Sequence, residues 1–312
     1  MSKVDVMFPF HGDVEMMKRA ARSVMGQQFQ DWRLVVLDDA SPGTAAADWF
    51  AENEDPRVVY LRNEENLGAN GNYSKALTLA EADITVIMGA DDVMLPNYLG
   101  TIVDVFEAFP HAAAVQPGVQ VIDGTGRLAT TLTDTVKRLA MPRVRRTVQL
   151  QGEPLAVSLS RAPWHYFPAI AWKTSTITRI GFRPDLNVVQ DLALLLDIAA
   201  EGGSFVLCHE LAFLYRRHKS SDSSVRAVDG RRFREEKRFY TAEALRFADM
   251  GWTKAAAAAD RHLSSRLHAA TLLAASIATL DLRRTPSLIH HVFGQSAPLA
   301  EAVQPSTPKE QK

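Results

Sequence analysis

Two adjacent carboxylates end an apolar run in the first third of the chain. Asp91 and Asp92 follow the β-forming residues 84–88, and Pro96 comes shortly after them. Carboxylates at the end of a buried strand are costly unless a cation meets them. Mg²⁺ binds one or two carboxylates together with substrate phosphates. The pair therefore indicates a metal–phosphate site, and an acidic cap on the helix predicted near Pro96 is the alternative.

Acids follow apolar runs at two further places. Asp38 and Asp39 end the run 34–37, and Asp191 stands at the head of an apolar helical segment. In open α/β sheets, ligands bind outside the carboxyl ends of the strands. Two predicted strand ends carry aspartate pairs here, so these acids predict the active-site edge of a sheet.

The composition is that of an ordinary globular protein. Hydrophobic residues make up 46% and charged residues 23% of the 312 residues, and the formal net charge is −1,. This balance gives no basis for a nucleic-acid partner. The single cysteine, Cys208, lies in an apolar run and cannot form an intramolecular disulfide. It is expected to be a buried thiol in a reducing compartment.

Neither a signal peptide nor a membrane-spanning helix is predicted. The first apolar run, 4–8, has the pattern of a strand and is interrupted by Pro9,. A spanning helix needs about eighteen or more apolar residues. The best candidate, 267–280, is shorter and contains polar side chains. We therefore expect a cytoplasmic protein that is soluble or peripheral to the inner face of the plasma membrane.

Alternating strands and helices must position the acids of the first half. Strands are predicted at 4–8, 33–37, 58–61, 84–88 and 112–116, and helices from Asp13 and over 45–52, 70–82 and 98–106. Strands that alternate with helices of this length predict a mainly parallel, doubly wound sheet with helices on both faces.

The second half is less regular. Residues 118–168 contain glycines, prolines and a basic cluster at 143–146, and are predicted to be an irregular insertion that covers the acceptor side of a site,. Further elements are predicted at 171–180, 191–200, 205–208, 212–216, 231–249 and 253–280. The expected organisation is a catalytic domain at 1–224, a helical region at 225–296 and a disordered tail at 297–312.

Eight short motifs occur in the order found in one enzyme family. They are Pro9-Phe10-His11, 23–27, Asp38-Asp39-Ala40-Ser41, Asn66-Leu67-Gly68 with Asn72 and Ala76, Gly89-Ala90-Asp91-Asp92 with Pro96, 180–184, Gln190-Asp191 with Leu194, and Tyr215-Arg216-Arg217-His218 with Ser221. Together they resemble the family 2 glycosyltransferases with a GT-A fold, a Rossmann-like mixed sheet. That family uses nucleotide-activated sugars and usually inverts the anomeric centre.

The resemblance implies a nucleotide-sugar site at the first strand ends. The residues implied to contact the donor are Pro9, His11, Asp39, Asn66, Gly68, Asn72, Asp91, Arg216 and Arg217. Asp39 matches the acid that accepts a hydrogen bond from the base, whereas Asp38 is expected to bond local amides. Gly68 allows the backbone to approach a ligand closely. For Asn72, the alternative to donor contact is a purely structural role. Arg216 and Arg217 are implied to contact phosphate. The alternative is that they form a solvated basic end of a strand.

The resemblance also implies a Mg²⁺ or Mn²⁺ ion held by Asp92. Asp91 and Asp92 resemble the second half of the family's acid–any–acid motif, and Gly89 stands where the first acid usually lies. The ion would offset the negative charge on the leaving nucleoside diphosphate. His218 is the second candidate ligand.

Asp191 is the expected catalytic base, and a helix cap is its alternative role. Inverting transfer needs a base that takes the proton of the acceptor hydroxyl as it attacks. The family commonly has Glu before this Asp, and Gln190 replaces it here, which removes a like charge that would raise the pKa of Asp191,. Trp164, Tyr166 and Gln190 are candidate acceptor contacts, with a place in the core as the alternative for the aromatics.

These features predict an inverting, metal-dependent transferase. It would move a sugar from a nucleoside diphosphate sugar to a glycan or polyprenyl-lipid-linked acceptor in bacterial cell-surface polysaccharide or glycolipid synthesis. A sugar-phosphate nucleotidyltransferase is an alternative, although no glycine-rich basic loop follows the first strand. A degenerate nucleotide-sugar-binding scaffold is another, supported by Gly89 and Gln190. A dehydrogenase is excluded, because residues 10–13 lack its glycine fingerprint,.

The C-terminal helices carry an apolar face that something must cover. Residues 253–280 have apolar side chains at helical spacing. The face is expected to pack on the catalytic domain or on a second subunit of a homodimer. Peripheral membrane contact is the alternative, motivated by Arg283, Arg284 and the apolar residues in 288–293,.

Overall fold

The computed structural model describes residues 3–217, 231–278, 288–289 and 292–293. Within them the chain forms two compact units. One comprises 3–156 and 164–217, and the other comprises 157–163 and the described residues after 230.

A mixed sheet of nine strands forms the frame of the first unit, counted over the described residues. The strands are β1 (Val4–Phe10), β2 (Trp32–Asp38), β3 (Val58–Arg62), β4 (Ile84–Ile87), β5 (Val93–Met94), β6 (Ala112–Asp123), β7 (Val148–Gln151), β8 (Ala171–Lys173) and β9 (Ser204–Arg217). Their order is β3-β2-β1-β4-β8-β6-β9-β5, and β7 pairs with β9. Strands β3, β2, β1 and β4 are parallel, and β8 is antiparallel to both of its neighbours. The predicted mixed α/β architecture is confirmed.

Helices connect the strands of the sheet, and three more follow β9 in the described part of the second unit. They are α1 (Val14–Met25), α2 (Ala45–Ala51), α3 (Gly68–Thr78), α4 (Tyr98–Ala108), α5 (Leu132–Ala140), α6 (Gly152–Arg161), α7 (Thr174–Ile180), α8 (Gln190–Ala200), α9 (Arg231–Asp249), α10 (Thr253–Arg261) and α11 (Leu263–Ala278). Strands β1, β2 and β4 are buried along nearly their whole lengths, as parallel strands covered on both faces must be,. Cys208 is a buried free thiol in β9, as predicted.

The strand order reverses between β1 and β4. Strand β1 pairs with β2 on one side and with β4 on the other. Two backbone bonds continue this pairing at the carboxyl ends: the Met88 amide donates to Met7 O at 2.9 Å, and the Asp39 amide donates to Phe10 O at 2.8 Å. The loops after β1, β2 and β4 are therefore neighbours at a topological switch point, where open α/β sheets bind ligands.

Residues 118–168 are more regular than predicted. Strand β6 continues to Asp123, and α5, β7 and α6 follow. Helix α5 begins with a capping box, in which Thr131 and Asp134 each bond the other's backbone amide,. The glycines and prolines of this stretch interrupt its hydrophobic pattern, so the short elements between them could not be recognised from the sequence. The two strands predicted at 205–208 and 212–216 are one strand, β9, whose polar middle is exposed.

Two helices occupy the region where one was predicted at 253–280. His262 has a left-handed φ of 30°, and it ends α10 before α11 begins. In this second unit Phe233, Ala269 and Leu288 form a small core. None of the helices that the structure describes has the length and apolarity to cross a membrane. Arg283 and Arg284 lie outside the described residues.

Candidate active site

The loop after β4 holds a buried carboxylate with one unpartnered oxygen. The Arg216 amide donates to Asp92 Oδ1 at 2.7 Å, and the Arg216 Nε donates to Asp91 O at 2.6 Å. Asp92 Oδ2 is buried and has no hydrogen-bond partner among the residues that the structure describes. A Cβ at Gly89 would lie 2.6 Å from that oxygen. Gly89 is therefore the residue that leaves room for the Asp92 carboxylate.

The electrostatics of this loop favour a cation. Burial, and then the neighbouring Asp91 charge, raise the pKa of Asp92 well above its ordinary value,. A hard divalent ion would stabilise the charged form, with its other ligands supplied by substrate phosphates and water. The described ranges contain no cluster of three or more His, Cys, Asp or Glu that could hold a metal by itself. His218, the second predicted ligand, lies outside the described residues.

The two aspartates after β2 differ in what they bond. Asp38 accepts the Ser41 amide at 2.7 Å and the Tyr60 hydroxyl. Burial alone would raise the pKa of Asp38, but these bonds and the Arg62 charge hold it below its usual range. Asp39 Oδ1 accepts two hydrogen bonds of 2.8 Å from the turn after β3. The donors are Asn63 Nδ2 and the Leu67 amide.

The turn into α3 meets the end of β1. His11 Nδ1 lies 3.0 Å from Asp39 O and 3.3 Å from Asn66 Nδ2. Gly68 has a φ of +71°, which an L side chain rarely adopts, and its amide donates to Asn66 Oδ1 at 2.8 Å,. Thus His11, Asp39, Asn66 and Gly68 come together beside Pro9, which is half-buried on β1.

Asn72 lies behind this surface. Its side chain is buried, donates to Leu37 O at 3.0 Å and accepts from Asn63 Nδ2 at 3.1 Å. These bonds hold α3 against the end of β2. This is the structural role that was the alternative for Asn72.

Asp191 presents a partly exposed carboxylate in the first turn of α8. Its side chain is 30% exposed, and its Oδ2 lies 3.0 Å from His165 Nε2. Its Oδ1 accepts the Leu192 amide at 2.8 Å. Val189 occupies the N-cap and makes no side-chain cap bond, so Asp191 is not the cap of this helix.

The surroundings of Asp191 keep its carboxylate ionised. Burial alone would raise the pKa of Asp191, but the charge and hydrogen bond of His165, the Leu192 amide and the Lys137 charge hold that pKa below its ordinary value,. His165 is buried, and its Nδ1 has no hydrogen-bond partner in the described part of the chain. The imidazole is thus packed in place with one nitrogen directed at Asp191.

The loop before α8 is fastened at two points. Asn70 Nδ2, on α3, donates to Leu186 O at 2.7 Å. Arg183 Nε donates to Asp197 Oδ2, within α8, at 2.9 Å. The helix that follows the Asn66–Gly68 turn therefore also helps to fix the segment that leads into Asp191.

Helix α5 joins the end of β9 to the surroundings of Asp191. Arg217 Nε donates to both oxygens of Asp134 at 2.8 Å, and Asp134 is buried. Lys137 Nζ donates to His165 O at 2.7 Å. The sequence assigned no role to Asp134, Lys137 or His165. Their partners are distant in the chain, so no local pattern marks Lys137 or His165. For Asp134 the spacing of a capping box with Thr131 is a local signal, and the sequence analysis did not identify it,.

The remaining predicted residues are placed as follows. Arg216 is buried and also donates to Asp123 O at 2.9 Å, so its guanidinium holds the frame of the loop after β4. Trp164 is fully buried and stacked on Phe205, with ring centroids 5.6 Å apart, which matches the alternative of a place in the core. Tyr166 is nearly buried, and Gln190 Oε1 is buried without a hydrogen-bond partner in the residues described.

Known proteins share this framework. Residues 5–157 match the family model described as glycosyl transferase family 2. An uncharacterized protein of Mycobacterium tuberculosis is 26% identical over 242 residues, which are 73% of this chain and 71% of that protein. The GalNAc(5)-diNAcBac-PP-undecaprenol beta-1,3-glucosyltransferase of Campylobacter jejuni is 28% identical over 104 residues, 33% of this chain and 34% of that enzyme. The chain thus matches only about a third of the length of this named relative.

Two solved structures share the fold. S. aureus TarS 1-349 in complex with UDP-GlcNAc has a TM-score of 0.68 at 15% identity, over 93% of this chain and 79% of that one. The mannosyltransferase PcManGT of Pyrobaculum calidifontis, in complex with GDP-Man and Mn²⁺, has a TM-score of 0.57 at 18% identity, over 93% of this chain and 85% of that one. The match over residues 5–157 identifies that part of the chain as a glycosyl transferase family 2 domain, and the chain has the GT-A fold.

Proposed function

We propose that this chain transfers a sugar from a nucleoside diphosphate sugar to an acceptor hydroxyl and inverts the anomeric configuration. The observation that carries the proposal is the environment of Asp191. Its carboxylate is partly exposed, is held by His165 and the Leu192 amide, and has a lowered pKa. A fixed, ionised carboxylate on a rigid helix start is what a general base requires.

The chemistry is a single displacement. Asp191 takes the proton from the acceptor hydroxyl while the acceptor oxygen forms a bond to the anomeric carbon. The bond from that carbon to the diphosphate breaks on the opposite face, and its electron pair leaves with the nucleoside diphosphate. A carboxylate of low pKa is a weak base. Proton transfer is therefore expected to be late, after bond formation has made the hydroxyl acidic.

The nucleotide end of the donor belongs at the switch point between β1 and β4. His11, Asp39 and Asn66 converge there, with the left-handed Gly68 beside them. Asp39 would accept from the base. Two proteins that share the fold have UDP-GlcNAc or GDP-Man bound, which supports a nucleotide sugar as the donor class.

A Mg²⁺ or Mn²⁺ ion fits the loop after β4. The buried, unpartnered Oδ2 of Asp92 would hold it, with Asp91 adjacent. When bound, the ion would supply positive charge against the leaving diphosphate. The Mn²⁺ in the mannosyltransferase that shares the fold supports this assignment. Gly89 does not weaken it, because a side chain there would displace the Asp92 carboxylate.

The acceptor is proposed to be a glycan or a polyprenyl-diphosphate-linked saccharide, used on the cytoplasmic side in cell-surface polysaccharide or glycolipid synthesis. The support is the Campylobacter relative, whose name specifies an undecaprenol-linked acceptor.

Ligand screening followed by product analysis tests the proposal. Thermal unfolding would be followed with UDP, GDP and their sugars, with and without Mg²⁺ or Mn²⁺, because a ligand of the native state raises the midpoint. With a stabilising α-linked donor, NMR of the product should show a β-linkage. A retained α-linkage would overturn the inverting mechanism. Stabilisation without turnover on any acceptor would favour the nucleotide-sugar-binding scaffold.

A further inference from the structure

Residues 124–147, here the basic segment, have a charge unlike that of the whole chain. They contain six cationic residues and one acid, Asp134, in a chain with a net charge of −1. Asp134 is buried and paired with Arg217, so it does not offset the surface charge. The exposed cations of the segment are Arg127, Arg138, Arg143, Arg145 and Arg146.

Large apolar side chains are exposed in the same segment. Leu128 is 69%, Val136 42% and Leu139 79% exposed. Val136 and Leu139 are three residues apart on α5, so they share a helix face,. A single exposed leucine is ordinary. Exposed leucines among arginines form the pattern of a helix that lies in an anionic membrane interface.

The opposite face of α5 is anchored to the candidate active site. Asp134 pairs with Arg217, and Lys137 donates to the carbonyl of His165, the partner of Asp191. The Thr131–Asp134 capping box fixes the start of the helix. A helix anchored in this way presents its Val136 and Leu139 face as a rigid surface rather than a loose loop.

We propose that the basic segment docks the enzyme on an anionic phospholipid surface. The arginines meet the headgroups, and Leu128, Val136 and Leu139 enter the headgroup–acyl boundary. The inference deepens the proposed function, on which it rests, because a helix bonded beside His165 and Asp191 would bring the base to an acceptor anchored in lipid. Positive charge and exposed apolar area occur together in this segment, and an anionic lipid surface is complementary to both,.

Vesicle co-sedimentation of the full chain tests it. Wild-type protein should bind vesicles of phosphatidylcholine with 30 mol% phosphatidylglycerol at low salt, bind pure phosphatidylcholine far less, and dissociate at about 0.5 M NaCl as charges are screened. Each arginine near the surface contributes roughly fivefold in partitioning. The triple variant R143A/R145A/R146A should therefore lose about a hundredfold. The variant L128S/L139S should lose about tenfold or more, from apolar area no longer buried.

Matched leucines on α11 provide the control. Leu263 and Leu267 are 58% and 56% exposed, so L263S/L267S makes the same change on the helical region where membrane contact was the alternative. It should bind vesicles like wild type. If it alone abolishes binding, the C-terminal helices are the anchor and the proposal is overturned. If the arginine variant loses binding while L128S/L139S binds vesicles like wild type, the leucines do not enter the headgroup–acyl boundary and charge alone holds the protein, which also overturns the proposed docking.

Nucleotide binding separates this inference from the proposed function. The stabilisation of the same variants by nucleoside diphosphate would be measured without vesicles. It should be unchanged in all of them, because none of the substituted residues lies in the donor site. Wild-type protein that binds nucleotide but no anionic vesicle contradicts the docking surface alone. Wild-type protein that binds vesicles but no nucleotide contradicts the proposed function instead.

Discussion

The donor edge and the acceptor side of the candidate site are built in opposite ways. At the donor edge, Asp39 and Asp92 are buried and accept backbone amides from Leu67 and Arg216. On the acceptor side, Asp191 is partly exposed, and a buried side chain, His165, holds it. One region is set by backbone geometry at strand ends. The other depends on side chains from distant elements.

Their electrostatics also differ in sign. Burial and the Asp91 charge raise the pKa of Asp92 although the Arg216 charge opposes them, so a bound cation would favour the ionised form of this carboxylate,. The pKa of Asp191 is lowered despite burial, because its interactions with His165, the Leu192 amide and Lys137 favour the ionised carboxylate. In the proposed mechanism, aspartate thus binds at one edge of the site and reacts at the other, according to its surroundings.

The largest expected effect comes from removing the base. Asp191→Asn keeps the size and the Leu192 bond but cannot take a proton, so the turnover number should fall by roughly two to four orders of magnitude. Nucleoside diphosphate affinity should stay within about twofold, because the donor edge is separate. Steady-state kinetics and calorimetry measure the two quantities. Near-normal turnover would remove Asp191 from the mechanism.

The matching change at the donor edge is Asp92→Asn. The amide oxygen can still accept from the Arg216 amide, so the fold should be kept, as the thermal unfolding midpoint would show. The charge that would hold a divalent ion is lost, and turnover should fall by about a hundredfold, since metal stabilisation of a leaving group is worth several kcal/mol. The stabilisation of nucleoside diphosphate binding by Mn²⁺ should disappear. Equal Mn²⁺ dependence in both proteins would contradict the assignment.

The donor edge was predictable because its chemistry is local. Apolar runs that end at Asp38–Asp39 and Asp91–Asp92 are visible in the sequence, and parallel strands bring such ends together. From the sequence, Gly89 supported the alternative of a degenerate scaffold, because it stands where the family's first acid usually lies. The structure gives the physical reason for this glycine, because a Cβ there would lie 2.6 Å from Asp92 Oδ2.

The acceptor side was only partly predictable. Asp191 could be identified at the head of α8, but its partner His165 lies in a segment that showed no periodicity. Trp164, one residue earlier, was expected to contact the acceptor, and it is core against Phe205. In a segment that is neither a clear helix nor a clear strand, the sequence pattern does not show which aromatic side chains point into the core. Helix α5 was missed for the same reason.

His165 offers a sharper test of the acceptor side than Asp191 itself. His165→Leu removes the charge and hydrogen bond that lower the pKa of Asp191, and burial then dominates. The pKa of Asp191 should rise, so the acid limb of the turnover profile should move to higher pH. Turnover at neutral pH should fall by about tenfold to a hundredfold, the usual worth of a hydrogen bond to a charged group.

Two variants control this experiment. His165→Gln retains a donor and should recover part of the turnover with a smaller shift of the acid limb. His209→Leu changes an exposed histidine on β9 and should leave the profile unchanged. An acid limb that does not move in His165→Leu would show that His165 only packs the site.

The smallest effect compares one tyrosine–aspartate bond from each region. Tyr60 donates to Asp38 at the donor edge, where burial and this bond raise the pKa of Tyr60 to about 12. On the acceptor side, Tyr166 OH lies 3.4 Å from Asp134, and Asp134 also accepts hydrogen bonds from Arg217 and Thr131. Tyr60→Phe should therefore lower the free energy of unfolding by about 1 kcal/mol near neutral pH, and Tyr166→Phe by roughly half of that or less.

The pH dependence of the Tyr60→Phe effect has a definite sign. The folded-state pKa of Asp38 lies below its ordinary value of 3.8, so its stabilising contribution is present above that pH and is lost as the pH falls through the folded pKa,. Tyr60→Phe removes one cause of the lowering. Its deficit against wild type in urea unfolding should be full at pH 7 and should close in acid, below about pH 4. A deficit that stays constant in acid would mean that the lost hydroxyl does not act through the ionisation of Asp38, since Phe keeps the ring that stacks on Phe50.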